Sequence, residues 1–200
     1  MLRRVHLFIS LASEVLSGLE GRNLAKLIYA LNQSLDGYVD HDRFAPRPAL
    51  FRHFIEDVRG LSGMVYGRRL YQAMRYWDED QSDWGADERE YAAVWRSQPK
   101  WVVSRSLESV GPHATLVTSN IEVLIRGLRS QLVGDIEVGG PDLAGALTGL
   151  GLIDEYRLYL HPVVLGSGKP FFSGPVPSLR FVAKEQITED VIRLTYAPAP

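Results

Sequence analysis

Short apolar runs alternate with amphipathic helical patterns through most of this sequence, and no other feature restricts the fold as strongly. The runs have the length of strands and lie at residues 24–31, 64–66, 100–104, 114–118, 136–138 and 156–161. Helical spacing occupies the segments 46–58, 70–74, 120–128 and 141–150. The chain then closes on two strand patterns, 179–183 and 191–196, around a polar turn at 188–190. This order predicts an α/β domain whose mixed sheet is parallel at its centre and antiparallel at one edge.

The N-terminal segment carries a helical pattern of its own. Apolar residues recur every four positions between Leu7 and Leu19, which predicts a short amphipathic helix that ends near Gly21. Basic residues before residue 5 imitate a secretion signal, but Glu14 follows the apolar stretch closely and no run of roughly 18 apolar residues occurs. We expect a cytoplasmic protein in which residues 1–22 are an N-terminal extension and residues 23–200 form the main domain.

Composition excludes several classes of function. The 200 residues include no cysteine, so disulfide scaffolds, thiolate zinc sites and cysteine nucleophiles are ruled out. Lys and Arg total 22 against 24 Asp and Glu, and the net charge of −2 offers no general attraction to nucleic acid or anionic membranes. The five histidines lack the i, i+4 pairing of a helical zinc site. We expect a small-molecule partner and no metal, nucleic acid or membrane.

Two strand-to-helix junctions are the clearest local signals for a ligand. One is Tyr66–Arg69, and the other is Val138–Asp142. In each junction glycine lets an anion approach the backbone, and the following helix presents unpaired N–H groups and the positive end of its dipole. Two such turns at one edge of the sheet suit the phosphates of a dinucleotide. Neither turn matches G-x-G-x-x-G or the Walker loop, and glycines that merely permit a tight turn explain the same residues.

Other polar residues follow strands but have structural explanations as well. Ser104 and Arg105 can hold a ribose or its 2′-phosphate, or they can form a surface turn. Ser34 and Asp36 can bind a substrate, or they can stabilise a Ser- or Asx-type turn. The acidic residues between 78 and 88 lack the spacing of an EF-hand, so a solvated loop anchored by nearby aromatic residues is the favoured interpretation.

Six short blocks stand in the order of a known family. They are LIYALNQSLDGY at 27–38, GRRLY at 67–71, KWVVSRSL at 100–107, IEVGGPDL at 136–143, LIDEYRL at 152–158 and PVVLGSGKPFF at 162–172. Together they resemble the dihydrofolate reductase fold family, and especially its branch similar to the C-terminal reductase domain of bacterial riboflavin biosynthesis, the RibD C-terminal domain. The resemblance implies a three-layer fold with a mixed, mostly parallel central sheet flanked by helices and a C-terminal antiparallel hairpin.

The resemblance also implies a function. It implies an NADPH-dependent reductase that transfers hydride to a small pteridine- or pyrimidine-like heterocycle, similar to 5-amino-6-(5-phosphoribosylamino)uracil reductase. The cofactor-binding residues that it implies are Ala30 at the nicotinamide, Gly67, Arg68 and Arg69 at the adenosine phosphate side, Ser104 and Arg105 at the adenine ribose, and Gly139, Gly140, Asp142 and Leu143 at the pyrophosphate. The residues that it places at the edge of the substrate are Asn32, Ser34, Asp36 and Gly37. No catalytic side chain is assigned, because the cofactor supplies the chemistry.

Two further features follow from the resemblance. The first is a cis peptide bond between Gly139 and Gly140, both facing the pyrophosphate. The second is a homodimer, for which the edge at 156–164 and the closing hairpin offer aromatic and aliphatic surface.

Two positions depart from the family pattern. Folate reductases carry an acid on the first helix that binds the pterin, whereas residues 49–51 are apolar here and the first acid of this helix is Glu56, which argues against dihydrofolate as the substrate. Relatives often have threonine after the arginine pair, where this chain has Leu70. These departures leave one alternative, a non-catalytic nucleotide-binding or interaction module that retains the reductase fold.

Overall fold

The computed structural model describes residues 24–40, 44 and 48–200. Within these residues eight strands form one sheet at the centre of the molecule. The strands are β1 (Lys26–Ser34), β2 (Leu61–Gly67), β3 (Lys100–Val103), β4 (Ala114–Val117), β5 (Asp135–Gly139), β6 (Glu155–His161), β7 (Leu179–Gln186) and β8 (Ile192–Pro198). The α-helices are α1 (Pro48–Gly60), α2 (Arg68–Met74), α3 (Ala86–Ser97), α4 (Ile121–Gln131) and α5 (Pro141–Gly149).

The sheet is parallel at its centre and antiparallel at one side. Across the sheet the strands run in the order β4-β3-β2-β5-β1-β6-β8-β7. Every neighbouring pair from β4 to β6 is parallel, whereas β8 pairs antiparallel with both β6 and β7. Parallel neighbours require crossover connections, which place helices on the faces of the sheet. The predicted α/β fold with a C-terminal antiparallel hairpin is confirmed.

Side-chain alternation along β1 divides the core between the two faces of the sheet. Leu27 and Tyr29 join an apolar cluster with residues of α4 and α5. Ile28 points the other way and joins a cluster with residues of α1, α2 and α3. Full burial of one such aliphatic side chain contributes roughly 1.5–3 kcal/mol. The sheet is therefore the middle of three layers, as the resemblance implies.

Helix α3 lies partly in the segment that the sequence analysis interprets as a solvated acidic loop. The Glu88 carboxylate accepts a hydrogen bond from the backbone N–H of Gly85 (3.0 Å), and this contact caps the start of the helix. Acidic residues in the first turn also complement the helix dipole. Trp95 is 1% exposed and anchors the helix in the core. The last acidic residues of this segment thus begin a helix, which their loop-like composition conceals.

Two local expectations about segment ends are wrong. The first strand is longer than the apolar run at 24–31 predicts, because residues 32–34 continue β1 and Ser34 still pairs with His161 on β6. The helical segment predicted at 120–128 begins one residue too early, because Asn120 precedes α4 with a φ of +55°. Pairing with β6 thus keeps polar residues 32–34 extended in spite of their preference for turns.

Of the two elements expected to form the surface for self-association, the closing hairpin reaches an edge of the sheet and β6 does not. Strand β6 pairs with β1 on one side and with β8 on the other, so it is not an edge. The closing hairpin adds β8 beside β6 and leaves β7 at the end of the sheet. On β7 the side chains of Phe181 and Val182 are 56% and 45% exposed. The closing hairpin therefore ends the described sheet at β7, which exposes apolar side chains.

Some expectations fall outside the described residues. They concern the N-terminal extension at residues 1–22 and the helix predicted between Leu7 and Leu19. Among the residues that the structure describes, no helix has the length and apolar character needed to cross a membrane.

Gly145 in α5 and Gly127 in α4 form a matched pair of helical glycines. A Cβ on Gly145 would lie 1.5 Å from the carbonyl oxygen of Ser173, whereas a Cβ on Gly127 would meet nothing within 4 Å. We expect Gly145→Ala to lower the free energy of unfolding by roughly 2 kcal/mol or more, since the backbone must shift. Gly127→Ala is expected to raise it by about 0.5–1 kcal/mol. Urea denaturation of both variants measures the difference, and equal effects would contradict the close contact at Gly145.

Candidate functional site

A cleft of about 510 Å³ opens where the parallel strands β3 and β4 end. It is bounded by the loops after these strands and by the first residues of α2 and α4. Its polar lining side chains are Arg68, Ser104, Arg105, Ser106, Thr118, Ser119 and Asn120. The fold therefore brings Arg68 beside Ser104 and Arg105, which the resemblance assigns to the same cofactor.

Two guanidinium groups line this cleft without an acidic partner. Among the described residues, Arg68 and Arg105 form no ion pair or hydrogen bond. Ser104 is 7% exposed, and its Oγ accepts the backbone N–H groups of Ser106 (3.2 Å) and Leu107 (3.1 Å). Ser104 thus shapes the loop that carries Arg105. Unpaired guanidinium groups beside hydroxyl side chains are suited to a phosphate or a phosphorylated ribose.

The two glycine junctions lie side by side. Tyr66 and Gly139 are register partners on β2 and β5. A Cβ on Gly139 would lie 2.2 Å from the Tyr66 ring, so this close packing requires glycine. Gly140 has a φ of +107°, which also favours glycine. The first turn of α5 follows, and its backbone N–H groups at Asp142 and Leu143 have no preceding helical carbonyl to bind.

The expectation of a cis peptide bond between Gly139 and Gly140 is wrong, because the described residues contain no cis peptide. The chain turns from β5 into α5 through the positive φ of Gly140 instead. This conformation costs glycine little, whereas a cis bond that does not precede proline costs about 2.5–4 kcal/mol. The turn therefore presents its N–H groups with ordinary trans geometry.

Asp142, at the start of α5, holds two basic side chains beside this turn. Its carboxylate accepts hydrogen bonds from Nζ of Lys169 (2.5 Å) and Oγ of Ser173 (3.0 Å). Arg69 lies 3.8 Å from the second carboxylate oxygen. The hydrogen bond from Lys169 lowers the pKa of Asp142. The Asp142 carboxylate thus binds Lys169 and lies near Arg69, and only the backbone N–H of Asp142 is available to an anion.

A second pocket, of about 460 Å³, lies between the sheet and the helices α1, α2 and α3. Its walls are mostly apolar and aromatic. They include Phe54, Leu70, Ala73, Met74, Trp77 and Tyr91. Its polar lining residues are Asn32, Asp57, Glu137 and Tyr159, with Ala30 beside them. A largely apolar pocket with a few polar groups is the usual form of a site for a flat organic ligand.

Helix α1 brings Asp57 into this pocket. Its carboxylate accepts a hydrogen bond from the Tyr159 hydroxyl. Nε2 of His53 lies 3.2 Å from the same carboxylate. Arg193 donates a hydrogen bond to the Tyr159 hydroxyl (3.2 Å). Burial by itself would raise the pKa of Asp57, but the hydrogen bonds from His53 and Tyr159 outweigh it, so the pKa is lowered. Asp57 is therefore ionised at neutral pH.

Glu137 faces the same pocket from β5 and has a different environment. Among the described residues it forms no hydrogen bond or close ion pair. Burial, and then the nearby charge of Asp57, raise its pKa to about 8, against a smaller opposing effect of Arg157. Two acids of one pocket are thus held in opposite protonation states at pH 7.

Ala30 and Asn32 line the pocket, as their places on β1 require. The Oδ1 atom of Asn32 is 2.8 Å from Nε2 of His161 on the neighbouring strand β6. Burial lowers the pKa of His161, which favours the neutral ring. A neutral His161 that donates to Oδ1 leaves the Asn32 amide N–H groups free to donate to a ligand.

The other residues predicted at the substrate edge bind the protein's own backbone. Asp36 accepts the backbone N–H groups of Leu165 (3.1 Å) and Gly166 (2.7 Å). The hydrogen bond from Ser34, with these two, lowers the pKa of Asp36 to about 2. The Ser34 hydroxyl accepts the backbone N–H of Tyr38 (3.0 Å), and Gly37 takes the turn with a φ of +87°. None of these three residues lines the pocket.

The loop after β1 is joined to the loop after β6 by several further bonds. The backbone N–H of Val39 donates to the carbonyl of Lys169 (2.8 Å), and the backbone N–H of Lys169 donates to the Asp40 carboxylate (2.8 Å). Tyr38 forms an isolated antiparallel bridge with Pro170. These bonds fix the rim of the fold beside the carboxyl end of β1.

Asp57 and Glu137 are the site residues that the sequence analysis missed. Glu137 stands inside the apolar run 136–138, and an acid in a strand buried on both faces is itself a signal of function or pairing. Asp57 lies between the apolar residues of α1, one position after the Glu56 that marked the first acid of this helix. Only the packing of α1 against β6 shows that Asp57 faces inward.

Comparison with known sequences gives one family. A family model described as the RibD C-terminal domain matches residues 25–193 of this chain. The uncharacterized protein YyaP of Bacillus subtilis (strain 168) is 29% identical over 146 residues, which are 72% of this chain and 77% of that protein.

Solved structures have the same architecture. A protein from Shewanella sp. PV-4, provisionally assigned to riboflavin biosynthesis, matches with a TM-score of 0.67 and 21% identity over 88% of this chain and 100% of that one. The dihydrofolate reductase of Enterococcus faecalis, complexed with NADP(H) and RAB-propyl, matches with a TM-score of 0.60 and 14% identity over 88% of this chain and 97% of that one. At these identities the likeness concerns the fold alone, and it confirms a dihydrofolate reductase-like architecture.

The raised pKa of Glu137 predicts a pH dependence of stability. Unfolding returns this carboxyl to its ordinary pKa of 4.5, so the folded state binds the extra proton between about pH 4.5 and 8. In that range Glu137 makes the free energy of unfolding fall as pH rises, by at most about 1.4 kcal/mol per pH unit. We expect Glu137→Gln, which stays neutral, to lose this decline.

Urea unfolding of the wild type and Glu137→Gln between about pH 5 and 8.5 measures this difference. Glu122→Gln is the matched control, because Glu122 is an exposed carboxylate on α4 that pairs with Arg126. The control is expected to follow the wild type. Parallel pH dependences in the wild type and Glu137→Gln would show that Glu137 is ionised in the folded protein.

Proposed function

Because this chain belongs to the RibD C-terminal domain family, we propose that it is a reductase that uses NADPH to reduce a small pteridine- or pyrimidine-like heterocycle, similar to 5-amino-6-(5-phosphoribosylamino)uracil reductase. The observation that carries this proposal is the position of α2. This helix contributes Arg68 to the cleft and Leu70 to the pocket. Leu70 also lies against the turn at Gly139. A cation-lined cleft, a glycine turn and an apolar pocket therefore surround one short helix.

The cleft and the turn fit the cofactor in their chemistry. Arg68 on α2 and Arg105 on the loop that Ser104 holds have no partner among the described residues, and both are cations for the phosphate of the adenine ribose. The N–H groups at the start of α5 are donors for the pyrophosphate. Gly67 and Gly139 keep side chains away from this path, and Ala30 leaves room for the nicotinamide. When bound, NADPH supplies the hydride.

The pocket fits a flat ring that carries N–H groups. Phe54, Leu70 and Trp77 offer apolar walls, while the ionised Asp57 accepts hydrogen bonds and the Asn32 amide donates them. Enclosure by these walls orients the acceptor and excludes water, which is what hydride transfer needs from a protein. Asp57 is an acid of the first helix and lines the pocket, so the absence of acids at residues 49–51 does not by itself exclude dihydrofolate. The Asp57 carboxylate is nevertheless bound by Tyr159 and His53.

Turnover separates a reductase from the non-catalytic module. We expect the protein to oxidise NADPH in the presence of a pyrimidine or pteridine acceptor, with 5-amino-6-(5-phosphoribosylamino)uracil, a dihydropteridine and dihydrofolate as the panel. The measurement is the loss of NADPH absorbance together with mass spectrometry of the reduced acceptor. A protein that binds NADPH and reduces none of the three would overturn the proposed reaction with these acceptors and favour the module.

The unpaired arginines predict a preference for NADPH over NADH. We expect Arg68→Ala and Arg105→Ala each to weaken NADPH binding by roughly ten- to hundredfold and to leave NADH binding nearly unchanged, since a guanidinium–phosphate contact is lost. Arg69→Ala is expected to have a smaller effect, because Arg69 lies at Asp142. Calorimetric titration with both cofactors measures this, with Arg126→Ala on α4 as the control. Equal affinity of the wild type for both cofactors would remove the basis for choosing NADPH.

We also propose a homodimer that forms through the edge strand β7. Phe181 and Val182 offer apolar surface there beside unpaired backbone groups, which is the arrangement that sheet edges use for pairing. Light scattering is expected to give twice the chain mass of 22.4 kDa, and Phe181→Lys to give a single chain. Val176→Lys is the control, because Val176 is 85% exposed in a loop. A wild-type mass of one chain at micromolar concentration would contradict the dimer.

A further inference from the structure

Two cavities meet at one wall inside the fold. The pocket of about 460 Å³ described above lies on one side of this wall. A smaller cavity of about 160 Å³ lies on the other side, toward the start of β5 and the end of α1. Both cavities are lined by Ala30, Asp57, Glu137 and Tyr159. The rest of the smaller cavity's lining combines three charged side chains, of Glu56, Asp135 and Arg157, with Ile28, Gly60 and Leu61.

We propose that Glu137 is the catalytic acid that gives the substrate its proton when hydride arrives. This inference rests on the proposed function, because it assigns the proton that a C=N acceptor needs once it is reduced. Glu137 touches the substrate pocket on one side and the smaller cavity on the other. A proton donor must reach its acceptor and must also regain its proton from water, and Glu137 has access for both.

Asp57 and Tyr159 share the wall but do not have a proton to give. Asp57 is ionised, since the hydrogen bonds from His53 and Tyr159 outweigh its burial. The Tyr159 hydroxyl already donates to Asp57, and burial raises its pKa well above the ordinary value. Asp57 is therefore a hydrogen-bond acceptor, and the hydroxyl proton of Tyr159 is already used in its bond to Asp57. Glu137 is the remaining titratable group of the wall.

Within the described part of the chain, Glu137 differs from the neighbouring acids in having no bound cation. Asp135, two residues earlier on β5, accepts a hydrogen bond from Arg157 (2.7 Å). Glu155 on β6 accepts from both Arg157 (2.8 Å) and Lys26 (2.6 Å). Among the described residues, no side chain or backbone group donates to Glu137. A carboxyl that faces a pocket without a donor is most stable as the neutral acid.

The surroundings of Glu137 keep the proton in place at neutral pH. The titratable and charged groups that line the two cavities with Glu137 come from α1, the segment after α2, α3, β2, β5 and β6. They are Glu56, Asp57, Tyr66, Tyr76, Tyr91, Asp135, Arg157 and Tyr159. Burial of Tyr66 and Tyr91 raises their pKa values, so these hydroxyls stay neutral. The negative charge of Asp57 favours the neutral form of Glu137, and Arg157 opposes it weakly. The resulting pKa of about 8 suits an acid that works near pH 7.

The register of the sheet places this acid beside the reacting region of the proposed function. Glu137 is two residues before Gly139, and its register partners are Ile28 on β1 and Met64 on β2. Ala30, which the proposal places at the nicotinamide, is two residues beyond Ile28 and lines both cavities with Glu137. The proton source thus lies next to the position at which the hydride is delivered.

The reaction balances with these groups. The carbon of the C=N bond gains the hydride that NADPH supplies, and NADPH becomes NADP⁺. The nitrogen uses the π electron pair to bind the proton, and the O–H bond of Glu137 breaks to leave the carboxylate. Water in the smaller cavity then returns a proton to Glu137. The sum is one acceptor, one NADPH and one proton from solvent, converted to the reduced acceptor and NADP⁺.

The test compares Glu137→Gln with the wild type by three measurements. The first is ¹³C NMR of glutamate-labelled protein without ligand, in which the carboxyl resonance lost in the variant is expected to titrate near pH 8 in the wild type. The second is the single-turnover rate of NADPH oxidation with the panel acceptor that reacts fastest, for which we expect a roughly 10²- to 10⁴-fold loss. The third is calorimetric NADPH binding, expected to change less than twofold. Glu122→Gln is the control in each.

The pH profile distinguishes a donor from a structural residue. We expect the wild-type single-turnover rate to fall above about pH 8 as Glu137 ionises. The residual rate of Glu137→Gln is expected to show no such decrease. Glu137→Asp, which keeps the acid on a shorter side chain, is expected to recover part of the rate and to keep the decrease at high pH.

The possible outcomes have separate meanings. A wild-type rate and profile in Glu137→Gln, or a carboxyl that titrates near its ordinary value, would refute the role of Glu137 and leave the proposed function intact. A wild type that reduces no acceptor, despite a carboxyl that titrates near pH 8, would overturn the proposed function, and the donor role would fall with it.

Discussion

The burial of the central strands on both faces is the constraint on which the rest of this structure depends. Strands β1 and β5 have parallel neighbours on each side, with α1, α2 and α3 over one face and α4 and α5 over the other. Such a layer excludes any polar group that is neither paired nor neutral. Asp135 meets this condition through its hydrogen bond with Arg157, and at Glu137 burial raises the pKa to about 8, which favours the neutral form. The layer that stabilises the fold therefore also sets the charge state of the site.

The residues that stabilise the sheet lie in the middle of the strands, and the polar residues of the cleft lie at the strand ends. The parallel strands are apolar in the middle of the molecule, and polar residues follow them at their carboxyl ends. These ends lie at one edge of the sheet, where the cleft and the glycine turn are found. The pocket instead lies over the face between the sheet and α1–α3, where the small side chain of Ala30 leaves space. Helix α2 lines both regions, with Arg68 in the cleft and Leu70 in the pocket.

Sequence patterns predict the parts of this fold that depend on periodicity and punctuation. The strands, the helix after Gly140 and the neighbouring glycine junctions follow from apolar period and from glycine at a tight turn. Helix α3 does not follow, because its acidic start has the composition of a loop until Glu88 is seen to cap it. The site acids do not follow either. Whether Asp57 and Glu137 are paired depends on side chains far apart in the chain, and no local pattern records those distances.

The bonds that join the loop after β1 to the loop after β6 have a consequence for how this family can vary. Asp36 accepts hydrogen bonds from two backbone N–H groups of the later loop, and Asp40 accepts one from Lys169. The Lys169 carbonyl accepts a hydrogen bond from the backbone N–H of Val39. The N–H groups that donate these bonds belong to the backbone, so a position such as Leu165, which contributes only its N–H, can be substituted without loss of the bond. Gly168 and Lys169 are restricted, because a Cβ on Gly168 would lie 1.9 Å from the Asp40 carboxylate and Lys169 also binds Asp142. The length of the later loop is restricted as well, since one inserted residue would move each N–H away from its carboxylate. A change of length in either loop therefore breaks the bonds that join them, whereas substitutions are tolerated only where a residue contributes its backbone alone.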